Sequence, residues 1–256
     1  MNPVLPSDEH AEIVADVVRF FSASDGVDAV LLVNSVARGH GTPSSDIDVA
    51  VLASGLAPDR GRALEDRWGE HASGVASIGR FLVDPLHAVH IDVFDGSFVP
   101  PVWDDGGGPD GFELEIGNRL VFGVPLWRSG DALDRLKGEW LPYYADDLRA
   151  DRLAMVVREC RRDIDHIAPF VERALHFAAF DRLYKAFQEF LQALFIARST
   201  YPLAYNKWIR YQLVELLGLP DLYRELPPLL EVARLESLDV VAKGETLRGL
   251  VASHCC

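Results

Sequence analysis

Three aspartates and a serine stand where they could do phosphoryl chemistry together. Asp46 and Asp48 open the apolar run Asp46-Ile47-Asp48-Val49-Ala50-Val51-Leu52. Alternate residues of a strand share a side, so the two carboxylates point the same way. Such a pair repels itself unless a cation sits between. Mg²⁺ suits that place, because it takes oxygen ligands from a few carboxylates plus phosphate oxygens. A third acid is expected from a neighbouring strand. Asp92, in Ala88-Val89-His90-Ile91-Asp92-Val93-Phe94, has an apolar setting in which a lone charge is costly. Burial beside the pair would account for it. Asp84 precedes Pro85 and Asp95 precedes Gly96, so both read as turn residues. Three carboxylates around two Mg²⁺ ions match what two-metal phosphoryl transfer needs. The plain alternative for Asp46 and Asp48 is an exposed acidic turn, since Asp-x-Asp alone is common by chance.

The stretch before the pair completes the pattern. Ser35 follows the apolar run Ala29-Val30-Leu31-Leu32-Val33 and begins a turn. Its hydroxyl and the nearby backbone N–H groups could cradle phosphate oxygens. Gly39 and Gly41 let the chain turn back towards the second strand.

The elements that must position these residues are legible by periodicity. Residues 8–21 read as an amphipathic helix with Ser7 as N-cap and Ile13, Val14, Val17, Val18 and Phe21 on one face. Residues 29–33 and 46–52 read as strands, and 58–71 as a helix. Residues 78–83 and 88–94 are further strand candidates, and a short strand within 115–127 closes this half. Residues 103–111, with Gly106-Gly107-Gly108, form a loop, by default a surface excursion. From about residue 130 the pattern is helical. Leu153, Val156, Val157, Cys160, Ile164 and Ile167 mark one helix, which Pro169 breaks or kinks. Leu183, Tyr184, Phe187, Phe190, Leu191, Leu194 and Phe195 mark a second. A third spans about 206–217, and weaker ones span 222–235 and 238–251. The expectation is an α/β domain with a mixed sheet over residues 1–129, followed by an all-α helical bundle over 130–256.

Composition limits the partners. The 256 residues carry 39 acidic and 25 basic side chains, a net charge of −14. Such a surface disfavours nucleic acid and suits a small cationic substrate. No apolar run approaches a membrane span, and the tract Met1-Asn2-Pro3-Val4-Leu5 lacks a signal-peptide layout. A cytoplasmic protein without a membrane partner is expected. Cys160 reads as a small buried thiol, and Cys255 and Cys256 as a tail without a zinc cluster.

The order Asn34-Ser35-Val36-Ala37-Arg38-Gly39 … Ser45-Asp46-Ile47-Asp48 resembles the nucleotidyltransferase superfamily of the DNA polymerase β type. It looks most like the bacterial aminoglycoside and lincosamide nucleotidyltransferases with a helical C-terminal domain. The motif is a Gly-Ser turn, a spacer and Asp-x-Asp, with a third acid on a later strand. Asn34 stands where the family has glycine, and asparagine is the residue that best tolerates left-handed backbone after glycine. The resemblance implies an α+β nucleotidyltransferase core and transfer of a nucleoside monophosphate, AMP from ATP first, to a small acceptor's hydroxyl with release of pyrophosphate. It implies that Asp46, Asp48 and Asp92 hold two Mg²⁺ and are catalytic. Asn34, Ser35, Arg38 and Ser45 would bind the nucleotide.

Two lysines extend that list. Lys185 lies on the polar helix face with Gln188, Glu189 and Gln192, where solvation is the usual fate; relatives place a lysine of the helical domain over the triphosphate. Lys207 reads as a first-turn lysine, which opposes the helix dipole unless an anion binds there. Tyr205-Asn206-Lys207-Trp208 also resembles a Lys-Trp pair of some relatives, with Trp208 a domain-packing residue. His90 would share the face of Asp92 and could orient it. Two alternatives accompany this reading. One is a protein- or tRNA-modifying enzyme of the toxin–antitoxin kind, with Arg158, Arg161 and Arg162 as its basic patch. The other is a nucleotide-binding relative without turnover.

Overall fold

A computed structural model describes residues 4–103 and 106–255. Met1, Asn2, Pro3, Asp104, Asp105 and Cys256 lie outside the described residues. The chain forms two compact units. The first comprises residues 1–99 and 115–141, and the second residues 100–114 and 142–256.

The first unit is a four-stranded mixed sheet with helices. Helix α1 (Asp8–Ser22) starts at Ser7, whose side chain caps His10 N–H. Strand β1 (Ala29–Leu32) leads into the single turn α2 (Asn34–Ala37), and β2 (Ile47–Leu52) returns antiparallel to β1. The helices α3 (Pro58–Ser73) and α4 (Ala76–Phe81) then cross to β3 (Val89–Phe94), which runs parallel to β2. After α5 (Phe112–Ile116) and a π-helical turn at Gly117–Val121, β4 (Val124–Arg128) pairs antiparallel with β1. The order is β3-β2-β1-β4. Helix α6 (Ala132–Trp140) follows.

Alternation divides the sheet. Val30, Leu32, Ile47, Val49 and Val51 join Ile13, Val17, Phe21, Leu64, Ile78 and Phe81 in one buried core. Asp48, Ala50, His90 and Asp92 therefore share the opposite face. The strand expected at 78–83 is instead part of α4. Ile78 and Phe81 lie at i and i+3, so a helix buries both on one side, whereas a strand would turn them to opposite faces.

The second unit packs the long helices α7 (Asp146–Glu172) and α8 (His176–Ala197) against α11 (Asp239–His254), with α9 (Ile209–Tyr211) and α10 (Pro220–Leu230) between α8 and α11 in sequence. Cys160 is buried in that core, as expected. So is Cys255, which is a packed residue and not a tail thiol. Pro169 does not end α7; it sits in the last turn, where few further backbone bonds are left to lose. The helix expected from 206 begins only at Ile209, because Trp208 adopts φ +59° and cannot continue a right-handed turn. Among the described residues no helix is long and apolar enough to cross a membrane.

Candidate functional site

The β1–β2 register brings the serine turn and the acidic pair to one end of the sheet. Leu32 is the partner of Val49, and Val33 N–H donates to the Asp48 carbonyl at 3.0 Å. Asn34, the next residue, has φ +58°. It takes the left-handed conformation that a glycine would take, at the steric cost asparagine tolerates best. Its side chain also hydrogen-bonds the Asp48 carboxylate. A glycine at 34 could not do this, so the substitution adds a donor to the pair. Ser35 follows within α2, and its carbonyl accepts from His40 N–H at 3.0 Å. Gly41 closes the turn: a Cβ there would lie 2.9 Å from Val36 Cγ2 and 2.8 Å from Pro6 Cγ.

The two carboxylates differ. Asp48 is partly buried, and burial pushes its carboxyl above the ordinary range. The Asn34 bond and the neighbouring His90 and Arg38 oppose that rise, while Asp46 adds to it. Asp46 Oδ1 is buried with no partner among the described residues. An orphaned carboxylate oxygen beside a second carboxylate fits a cation-binding position. Arg38 Nη1 donates to Asn118 Oδ1 at 3.3 Å, which holds the guanidinium near the pair's strand end. Ser45 shapes the backbone ahead of the pair. Thr42 N–H donates to its hydroxyl at 2.9 Å, and Ser45 N–H donates to the Thr42 carbonyl at 2.9 Å. That turn delivers Asp46.

Asp92 departs from the expected burial. Its side chain is 54% exposed, and Arg119 Nη2 holds it at 2.6 Å. An edge strand leaves this face open, and Arg119, stacked 4.7 Å from the Phe94 ring, supplies the counter-charge that a metal was expected to supply. Its strand partner is Ala50, whereas the partner of Asp48 is His90. His90 thus faces Asp48 across the ladder. The described residues include no group of three metal-ligating side chains. Asp46 and Asp48 fit one or two cations completed by phosphate oxygens and water.

Lys185 and Lys207 belong to the second unit. Lys185 pairs with Asp181 at 2.8 Å. Its neighbours Glu189 and Gln192 are not solvated but fully buried, because α8 packs on all sides in its second half. Lys207 is exposed and precedes the helix, so the first-turn dipole argument does not apply. Trp208 is 39% exposed and lines an apolar recess of about 360 Å³ with Phe187, Ile209, Tyr223 and Leu226 of its own unit. The glycine loop is no free excursion either. Gly108 is buried, and a Cβ on Gly106 would collide with the Arg182 guanidinium.

Sequence reasoning missed two buried groups. Arg152 is 2% exposed and forks onto Asp110 at 2.7 Å through each oxygen and onto Glu113 at 3.0 and 2.8 Å. Tyr144 and Gln192 complete the shell of Glu113. A charged residue at a helical core position was the available signal. The other is Glu189, whose two oxygens have no partner among the described residues. Burial pushes its carboxyl up to about 8, with Asp163 and Glu159 adding repulsion. The folded protein then keeps a proton that the unfolded chain loses above about 4.5. Stability from this group is full below that value and falls as pH rises towards 8. Urea unfolding of wild type and Glu189→Gln at pH 5, 6.5 and 8 should show wild type losing about 1 kcal/mol per pH unit against the variant. A parallel pH dependence would contradict the burial argument.

No protein-family model matches this chain, and no curated protein sequence matches it.

Proposed function

We propose that this chain is a nucleotidyltransferase of the DNA polymerase β type, with the first unit (residues 1–99 and 115–141) as its catalytic domain and the second (residues 100–114 and 142–256) as its acceptor-selecting helical domain, in place of a single boundary at residue 129. It transfers a nucleoside monophosphate, AMP from ATP first, to a hydroxyl of a small cationic acceptor of the aminoglycoside or lincosamide kind. One observation carries the reading. The unpartnered oxygen of Asp46 and the partly buried carboxylate of Asp48 share the end of β2 with the turn of left-handed Asn34 and Ser35.

The chemistry is a substitution at the α-phosphorus. The acceptor oxygen forms the new P–O bond, the α–β P–O bond breaks, pyrophosphate leaves, and the hydroxyl proton is released. Mg²⁺, when bound by Asp46 and Asp48, supplies charge neutralisation for the triphosphate and acidity for the attacking hydroxyl. Asn34 fixes the Asp48 carboxylate by its hydrogen bond. Ser35 offers a hydroxyl to the phosphates, and Arg38 adds positive charge beside the pair. Asp92 is held by Arg119 through one carboxylate oxygen and stays half-exposed. The left-handed Asn34 supports turnover over a degenerate nucleotide binder. Of the arginines that would serve a tRNA, Arg158 and Arg162 both pair with Glu159, which weakens that alternative.

The test is pyrophosphate release from each NTP with Mg²⁺ across aminoglycosides, lincosamides, tRNA and bulk protein. Release that depends on one small cationic acceptor is the expected result. Absence of Mg²⁺-dependent ATP binding in the same samples would overturn the reading.

A further inference from the structure

The loop that delivers the acidic pair to β2 is gripped by two histidines. His10 is fully buried on α1. Its Nε2 lies 3.0 Å from the carbonyl of Ser45, the residue before Asp46. A carbonyl only accepts, so Nε2 carries the proton. Nδ1, 2.7 Å from Ser7 Oγ, then accepts from the serine hydroxyl. A neutral imidazole satisfies all of this.

His87 reaches the same loop from the other side. Nδ1 lies 2.9 Å from the Phe81 carbonyl and Nε2 lies 3.1 Å from the Pro43 carbonyl, so the ring bridges the end of α4 to the loop before Asp46. Stacking on Phe81, with ring centres 4.1 Å apart and planes 8° from parallel, fixes the ring. His10 stands on its α1 side, with ring centres 6.5 Å apart. Asp84 stands in its own turn, its carbonyl taking His87 N–H and its carboxylate Leu86 N–H. Arg80 of α4 is engaged with Glu9 and Glu12. Residues 42–45 carry no ionisable side chain.

We infer that His10 and His87 are positioning residues that set Asp46 and Asp48 for cation binding, by holding the Ser45 and Pro43 carbonyls of the loop before the pair. This rests on the carboxylate reading above. The Pro43 and Ser45 carbonyls flank the turn that ends at Asp46, so releasing either loosens its side chain. Loss of the His10–Ser45 or the His87–Pro43 bond lowers cation affinity by about 3- to 10-fold, the scale of one hydrogen bond.

The probe is Mn²⁺ alone, titrated into the full chain. Wild type, Asp46→Asn, His10→Gln, His10→Leu, His87→Gln and His87→Leu are compared. His10→Gln keeps an N–H donor where Nε2 stood and is expected to retain affinity; His10→Leu is expected to lose it. His87→Gln likewise keeps a donor towards the Pro43 carbonyl and is expected to retain affinity, and His87→Leu to lose it. Binding that is lost in Asp46→Asn but unchanged in both leucine variants overturns the clamp and leaves the carboxylate pair standing. No wild-type binding overturns the carboxylate reading and this inference with it.

Discussion

Asp48→Asn is expected to lower acceptor-dependent pyrophosphate release at least about a thousandfold, equivalent to roughly 4 kcal/mol of transition-state stabilisation. Asparagine matches the size of aspartate and keeps an oxygen, but it removes the charge that holds the cation and the triphosphate. The same variant should unfold no earlier than wild type. Burial penalises the Asp48 anion, and Asp46 adds repulsion, so neutralising it relieves the fold. Lost activity with retained or raised stability separates a functional charge from a structural one. Pyrophosphate release and thermal unfolding on one preparation decide it. A variant that loses both would mean that Asp48 belongs to the fold.

Arg152→Met is expected to behave oppositely, costing the second unit about 3–5 kcal/mol, the scale for breaking a buried ion pair from one side. The methionine fills space but leaves Asp110 and the fully buried Glu113 without their cation. The Arg152 guanidinium also lies 4.9 Å from the Phe112 ring, which keeps it dry. Glu113→Gln should cost less. One arginine faces two carboxylates, and Asp110 retains its bidentate pair after the change. Equilibrium unfolding in urea measures both. An Arg152→Met protein as stable as wild type would mean that water reaches this network.

The sequence and the structure agree most where pattern and burial coincide. Ser7 before an acidic first turn announced α1, and the runs at 29–33 and 46–52 announced the two central strands. Each is buried enough that its alternation or continuity leaves one choice. The carboxylate pair was legible for the same reason: two charges at the head of an apolar strand have few structural explanations. Residues 78–83 failed because two apolar residues three apart suit a helix, and the run is too short for a period to assert itself. Asp92 failed because an edge strand leaves its outer face open, and the arginine that neutralises it comes from a π-helical turn 27 residues away. Glu189 and Lys207 failed in opposite ways. A glutamate on an outwardly polar stripe turned out to be enclosed, while a left-handed Trp208 moved a helix start past its lysine. Neither packing nor a backbone reversal at a bulky residue has a local signature in the chain.

The division of the units along the chain restricts how this protein can be made or taken apart. Residues 100–114 go to the second unit before the chain returns to finish the first. Strand β4 (Val124–Arg128) pairs with β1, so on the ribosome the central hairpin, complete at Leu52, waits about seventy residues for its last neighbour. A fragment ending at residue 99 leaves one side of β1 as an open edge. A fragment ending at residue 129 carries Asp110 and Glu113 without Arg152. No single cut yields two self-sufficient pieces. A chimera that borrows residues 1–129 for the sheet is therefore expected to need α7 as well, because Arg152 on α7 neutralises Asp110 and Glu113.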